Sequence, residues 1–383
     1  MEKFNVSEVI FTSSNTIIER ATRNDGVDVI IKKPHHTFPS QALVESYKKD
    51  FSFTKSFHDT NPEYFINMLD IIEQKNGSVV LIQEDVGSGL ETLLQKKKLF
   101  TTKEFLILAR DMTKSLDLVH SKQVIHRDIK VSNFVFDEKN QKPKLIDFGL
   151  AVYVSRKSPS ISCSKPIGTF HYMSPEQTGR ISKNVDNRSD IYSLGISFYE
   201  LLTGKKPFEG DKLALVHSQI TKKLPNIPDI PKVLNDLIQK MCSKNPSERY
   251  SSTKGILKDL EFIEKNLNSI PSNFEVGKQD EKFFQIPNKL YGREKEIRIL
   301  KLSISSQEKM CLVSGYSGAG KSKLVEELFK EKTLELYHGY GKFDQFNRST
   351  PFSAFIRFYS LNLYLTVFKC YEIFDWNYGF RRS

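Results

Sequence analysis

Over the first sixty residues, apolar positions come in short runs broken by turn signals. Val27-Asp28-Val29-Ile30-Ile31 follows Asn24-Asp25-Gly26, a tripeptide whose residue types tolerate the left-handed backbone of a tight hairpin. This pattern predicts a small antiparallel sheet. Residues 78–86 form a second β-branched run that leads into Gly87-Ser88-Gly89. Beyond it the period lengthens: Leu108, Met112, Leu116 and Val119 fall on one helical stripe behind a capping Thr102. Segments around 190–203, 211–223 and 233–243 carry the same helical pattern. A β-rich front and a helical back within about 265 residues predict two lobes. Residues 268–289 are polar and punctuated by proline, as expected of a linker, and a further unit begins near Leu290.

Composition narrows the class. The 383 residues are 39% hydrophobic and 27% charged with 19 Gly and 15 Pro, which suits globular domains and excludes collagen-like or wholly disordered chains. A net charge of +11 is spread along the chain without a block of like charge, so nucleic acid is not the expected partner. Cys163, Cys242, Cys311 and Cys370 include no CxxC pair, so neither a disulfide framework nor a zinc site is indicated. The amino terminus lacks the apolar core of a signal peptide, and no run of about 18 apolar residues could span a bilayer. A cytoplasmic protein without a membrane partner is expected.

The strongest chemical signal is His126-Arg127-Asp128-Ile129-Lys130-Val131-Ser132-Asn133, followed by Lys144-Leu145-Ile146-Asp147-Phe148-Gly149. Phosphoryl transfer requires a carboxylate to orient the attacking hydroxyl, a lysine to neutralise the moving group, and an amide plus a second carboxylate to hold magnesium. Asp128, Lys130, Asn133 and Asp147 supply these in order. A lone Asp-Phe-Gly is common in turns, but the ordered set resembles the serine/threonine branch of the protein kinases.

The resemblance implies an α+β bilobal kinase fold over 1–267, divided near Val86, that uses ATP and Mg2+ to phosphorylate protein substrates on serine or threonine. It makes Asp128 and Lys130 catalytic and Asn133 and Asp147 metal ligands. Lys32 of Val29-Ile30-Ile31-Lys32 would grip ATP phosphates with Asp50 as its carboxylate partner, and Glu45 is an out-of-register substitute. The backbone of Glu84 and Val86 would meet adenine. Thr169 with Lys130 would favour serine or threonine as acceptor, and Arg127 would dock a phosphorylated residue from among Ser155, Ser158, Ser160, Ser162 and Ser164. Glu176 would pair with Arg249, and Asp190 would anchor the catalytic loop.

Two positions depart from the family pattern. The phosphate-covering loop, expected as GxGxxGxV, reads Phe11-Thr12-Ser13-Ser14-Asn15-Thr16-Ile17-Ile18, so Ser13 and Ser14 stand over the phosphates where small glycines are expected. Asp50 is one methylene shorter than the expected glutamate. These departures leave a nucleotide-binding pseudokinase scaffold as the alternative reading.

In the second unit, Met310–Ser314 reads as a buried strand, followed by Gly315-Tyr316-Ser317-Gly318-Ala319-Gly320-Lys321-Ser322 and a helical pattern. In this strand-loop-helix order, Gly315, Gly318 and Gly320 let amides curl around a phosphate, Lys321 reaches its oxygens and Ser322 ligates magnesium. With Tyr291-Gly292-Arg293-Glu294 upstream and Gly341-Lys342-Phe343-Asp344-Gln345-Phe346 downstream, residues 290–383 resemble an incomplete α/β AAA-type P-loop module of large bacterial signalling kinases. The resemblance implies a downstream sensor or histidine-kinase partner. No apolar strand followed by paired acids is evident before Ser383, so ATP hydrolysis there is not expected. The aromatic stretch from Phe352 to Phe380 suggests a truncated or frame-altered tail, with a membrane-surface helix as the alternative.

Overall fold

A computed structural model describes residues 4–97, 99–155, 160–161, 166–181, 183–267, 269–271, 273–280, 292–305, 310–316, 320–321, 324–325 and 372–374. The chain divides into two compact units, Met1–Phe283 and Phe284–Ser383.

The first unit opens with strands β1 (Phe4–Thr12), β2 (Thr16–Arg23) and β3 (Asp28–Pro34), then helix α1 (Gln41–Thr60) and strands β4 (Met68–Glu73) and β5 (Val79–Glu84). The five strands form one antiparallel sheet in the order β1-β2-β3-β5-β4. The β2–β3 turn is the Asn24-Asp25-Gly26 hairpin, with Gly26 at φ 85°. Strand alternation sorts the faces. Ala21, Val29, Ile31, Val80 and Ile82 pack together on one face, while Tyr47 of α1 packs with Met68, Val79 and Leu81 on the other. Lys32, one residue past Ile31, therefore turns toward α1.

Helix α2 (Leu90–Lys97) leads to α3 (Thr102–Ser121), whose cap is Thr101, one residue before the cap that the apolar stripe predicts. The shift has a physical reason: Thr101 and Glu104 close a reciprocal capping box, which Thr102 could not form. Short strands β6 (Val124–Ile125), β7 (Phe134–Asp137), β8 (Lys142–Leu145) and β9 (Val152–Tyr153) pair as β6 with β9 and β7 with β8, and they bracket the catalytic-loop sequence. Helices α4 (Asn187–Thr203), α5 (Lys212–Thr221), α6 (Lys232–Met241) and α7 (Thr253–Lys265) complete the helical lobe. Leu108, Met112, Leu116 and Val119 are all buried in its core. Each such side chain contributes ~1.5–3 kcal/mol as an upper estimate.

The stretch after α7, linker-like in sequence, leans on the helical lobe over part of its length. Ile270, Phe274 and Val276 pack against its core, and Phe274 stacks on Phe262 with centroids 4.4 Å apart. Asp280 accepts hydrogen bonds from the Ser251 amide at 2.8 Å and hydroxyl at 2.9 Å.

In the second unit, helix α8 (Glu294–Ser305) precedes β10 (Met310–Leu312), which pairs in parallel with β11 (Glu372–Phe374). The second strand does not stand out in the sequence, being three residues inside an aromatic-rich stretch.

Candidate active site

The catalytic-loop sequence is held from below by one carboxylate. Asp190, in the first turn of α4, is fully buried. Its Oδ2 accepts from the His126 amide at 2.8 Å and its Oδ1 from the Arg127 amide at 2.8 Å, while His120 Nε2 lies 2.9 Å from Oδ2. Arg127 sits in left-handed backbone at φ 69°, a conformation that costs a non-glycine residue ~1–3 kcal/mol and is held here by those bonds. Above it, Asp128 is the hub. Its Oδ1 accepts from the amide and the hydroxyl of Thr169, each at 2.8 Å. Lys130 Nζ donates to Asp128 Oδ2 at 2.8 Å and to Thr169 Oγ1 at 3.1 Å, and Asn133 Nδ2 donates to the Asp128 carbonyl at 2.8 Å. Thr169 approaches this closely because Gly168 precedes it: at φ 112°, a Cβ there would lie 2.7 Å from the Arg127 carbonyl oxygen.

A second cluster forms on the sheet side. Lys32 Nζ donates to Asp50 Oδ2 at 2.8 Å and to Asp147 Oδ1 at 3.0 Å. Asp50 is long enough despite the missing methylene, because α1 lies close. The other oxygen, Oδ1, accepts from the Phe148 amide at 2.8 Å and from Thr54 Oγ1 at 3.2 Å. Gly149 permits the approach, since a Cβ there would collide with Ser46 Oγ on α1. Glu45 lies on the exposed face of α1 and accepts from Gln41, so it takes no part. Burial works against charge on both partners, but the two carboxylates outweigh it and hold the Lys32 ammonium well above its ordinary range. Burial raises the Asp147 carboxyl and Lys32 more than reverses this, bringing it down to about 2. Phe148 stacks against Phe57 at 5.2 Å and meets the His126 ring at 4.8 Å, so it joins α1 to the catalytic loop. Burial depresses the His126 imidazole, which favours the neutral ring against that aromatic surface.

At the hinge, the Glu84 carboxylate turns inward and accepts from the Asn67 amide at 2.8 Å and from Lys144 at 3.0 Å; Lys144 also lies 3.2 Å from Asp137. Neither Lys144 nor Asn67 stands out in the sequence as a partner of Glu84, because neither pairing is local. The Val86 carbonyl accepts from the Glu138 amide at 3.2 Å.

The glycine-free loop is a tight turn closed by its own side chain. Ser13 Oγ accepts from the Thr16 amide at 3.0 Å and the Asn15 amide at 3.3 Å, and the Asn15 carbonyl accepts from the His35 amide at 2.9 Å. Ser14 stands at the exposed tip.

The frame around the site is electrostatically closed. Arg249 donates to both oxygens of Glu176, at 2.6 and 2.9 Å, and neither side chain is exposed. Burial raises the Glu176 carboxyl, but the arginine fork leaves it below its usual range. Arg127 Nε donates to the Leu150 carbonyl at 2.7 Å. Of the candidate phosphorylation sites, Ser155 and Ser160 are described; Ser158, Ser162 and Ser164 lie outside the described residues.

In the second unit, Lys321 Nζ donates to the carbonyls of Gly315 at 2.9 Å and Tyr316 at 3.0 Å, and Gly320 takes φ 81°. Gly318 and Ser322 lie outside the described residues.

The protein kinase domain model matches residues 15–260, and the AAA ATPase domain model matches residues 289–367. Among curated relatives, the chain is 36% identical over 233 residues to hybrid signal transduction histidine kinase G of Dictyostelium discoideum, covering 52% of this chain and 7% of that protein. It is 32% identical over 249 residues to a probable serine/threonine-protein kinase of Clostridium perfringens, covering 63% of this chain and 35% of that one. A third, the peroxide stress-activated histidine kinase mak3 of Schizosaccharomyces pombe, is 32% identical over 216 residues, covering 52% of this chain and 9% of that protein. The chain thus spans only a minor part of each of these relatives. With its sheet-and-helix lobes and the match over residues 15–260, the chain belongs to the protein kinase family, and an AAA ATPase domain follows the kinase domain.

Proposed function

We propose that the first unit transfers the γ-phosphoryl group of ATP to serine or threonine hydroxyls of protein substrates in signal transduction. The observation that carries this is the convergence of Asp128, Lys130 and Thr169 within hydrogen-bonding distance of one another. Asp128 offers a carboxylate to the incoming hydroxyl, orienting it and accepting its proton. Lys130, beside it, places a cation where negative charge grows on the phosphoryl oxygens. The Thr169 hydroxyl keeps both groups in register. Lys32, fixed by Asp50 and Asp147, holds the ATP phosphates at the other side of the cleft. Asn133 and Asp147 supply an amide and an ionised carboxylate, a hard-oxygen pair that fits Mg2+. Bound there, the ion would screen phosphate charge. Glu84 and Val86 present hinge backbone to adenine, and Arg127 remains the candidate docking site for an activating phosphate.

The alternative is a nucleotide-binding scaffold without transfer, favoured by one observation: Ser13 already occupies the Asn15 and Thr16 amides of the phosphate-covering turn. The names of two relatives as histidine kinases support a signalling partner of that kind, and the phosphate-loop motif with the AAA ATPase match supports an accessory nucleotide site in the second unit. Incubation with γ-labelled ATP, Mg2+ and a general serine/threonine substrate separates the readings. Transfer that falls ~10²–10⁴-fold in Asp128→Asn, with nucleotide binding kept, supports the enzyme. Binding without transfer in the unsubstituted chain supports the scaffold.

A further inference from the structure

Helix α1 carries a residue that no sequence motif assigns. Tyr47 lies one turn before Asp50 on the same face of the helix and is 2% exposed. Its hydroxyl donates to Thr16 Oγ1 at 3.0 Å, across the floor of the glycine-free turn. Its ring lies beneath the Lys32 ammonium, 5.4 Å from centroid to Nζ. One side chain therefore touches both groups expected to face ATP phosphates, the covering turn and the gripping lysine. Its helix holds the same lysine through Asp50.

A glycine loop closes over phosphate by offering free backbone amides. Here the Asn15 and Thr16 amides are satisfied by Ser13 Oγ, so the turn needs another means of staying in place over the nucleotide. We propose that Tyr47 is a positioning residue that latches the phosphate-covering turn to helix α1, so that the turn and the Lys32–Asp50 pair adopt the ATP-holding geometry together. This rests on the reading of the cleft as an ATP site. Burial raises the Tyr47 phenol, which keeps it protonated and able to donate at neutral pH. The coupling is reciprocal: a nucleotide that draws the turn down also draws α1 inward, and an inward α1 prepares the turn.

The test uses the full chain carrying Lys321→Ala, so that the second phosphate loop adds no signal. A fluorescent, non-hydrolysable ATP analogue with Mg2+ gives a dissociation constant that needs no phosphotransfer. Tyr47→Phe keeps the ring and loses the donor, and should weaken binding roughly three- to tenfold, the value of one hydrogen bond. The melting temperature should stay within about 2 °C, and in the transfer assay KM for ATP should rise while kcat changes less than about twofold. Thr16→Val should reproduce the loss, and the double variant should be no weaker than either single one. Unchanged affinity in Tyr47→Phe, or additive losses in the double variant, would overturn the latch. A fall in melting temperature without a change in affinity would also overturn it, as the mark of a packing role. If the parent chain binds no analogue, the ATP reading beneath the proposal fails; if it binds and the variants do not respond, only the latch fails.

Discussion

Two lysines in this chain stand where phosphate is expected, and they keep different company. Lys32 lies between two carboxylates, Asp50 and Asp147, on a strand and against a helix. Lys321 donates to two carbonyls of its own loop, Gly315 and Tyr316. The first is fixed in its extended position by long-range contacts before any nucleotide arrives. The second is folded back onto its own loop, and any phosphate bound there would have to displace those carbonyls. Preorganisation, more than the presence of a cation, separates the two sites.

Removing the prepared lysine should have the largest effect. Lys32→Met is expected to lower phosphotransfer at least ~10²-fold, since phosphate alignment and charge compensation go together; loss smaller than tenfold would mean that another group grips the nucleotide. It should also release Asp147. In the unsubstituted protein that carboxyl sits at about 2 against an ordinary 3.8, so its stabilising share is complete above pH 4 and fades as pH falls through 2. In Lys32→Met that share should disappear, because burial alone raises the carboxyl and its protonation then favours the fold, so the acid-unfolding curve should lose its dependence on this group between pH 4 and 2.

Asp50→Glu sharpens the same contrast. The shorter acid reaches Lys32, Thr54 and the Phe148 amide together, so an added methylene has to be absorbed by shifting α1. We expect roughly a tenfold loss of transfer and a stability loss of about 1–3 kcal/mol by denaturant unfolding. A gain in rate would show that α1 stands further out in solution.

A smaller effect tests where the first unit ends. A chain cut after residue 283 should melt several degrees higher than one cut after residue 267, because only the longer one keeps the Phe262–Phe274 stack and the Asp280 bonds to Ser251. The smallest belongs to the unprepared lysine: Lys321→Ala should weaken nucleotide binding by the second unit and alter transfer by less than about twofold. Silenced transfer would show that the units are energetically coupled.

What the sequence made legible follows from locality. Asp128, Lys130 and Asn133 fall within one short stretch and Asp147 heads another, so their order alone carries the chemistry. Helix α1 is hidden to a hydrophobic pattern because its buried face, Tyr47, Asp50, Phe53, Thr54 and Phe57, includes two polar residues that break the stripe. Asp50 could be guessed as the partner of Lys32 from family resemblance, but that α1 comes close enough for the shorter acid to reach it is seen only in three dimensions. Tyr47 with Thr16, and Lys144 with Glu84, join positions 31 and 60 residues apart, and no motif spans them. The stretch after α7 has few apolar residues to betray its packing, and Phe274 finds its partner, Phe262, back on α7.

The Asp190 carboxylate, described above as an anchor, also sets an order of assembly. The left-handed turn at Arg127 is unfavourable by itself, and its compensating acceptor arrives only when α4 has docked in the core. During refolding, helical signal should therefore return before or with the competence to transfer phosphate, never after it. On this account the turn at Arg127 settles only once α4 is in place.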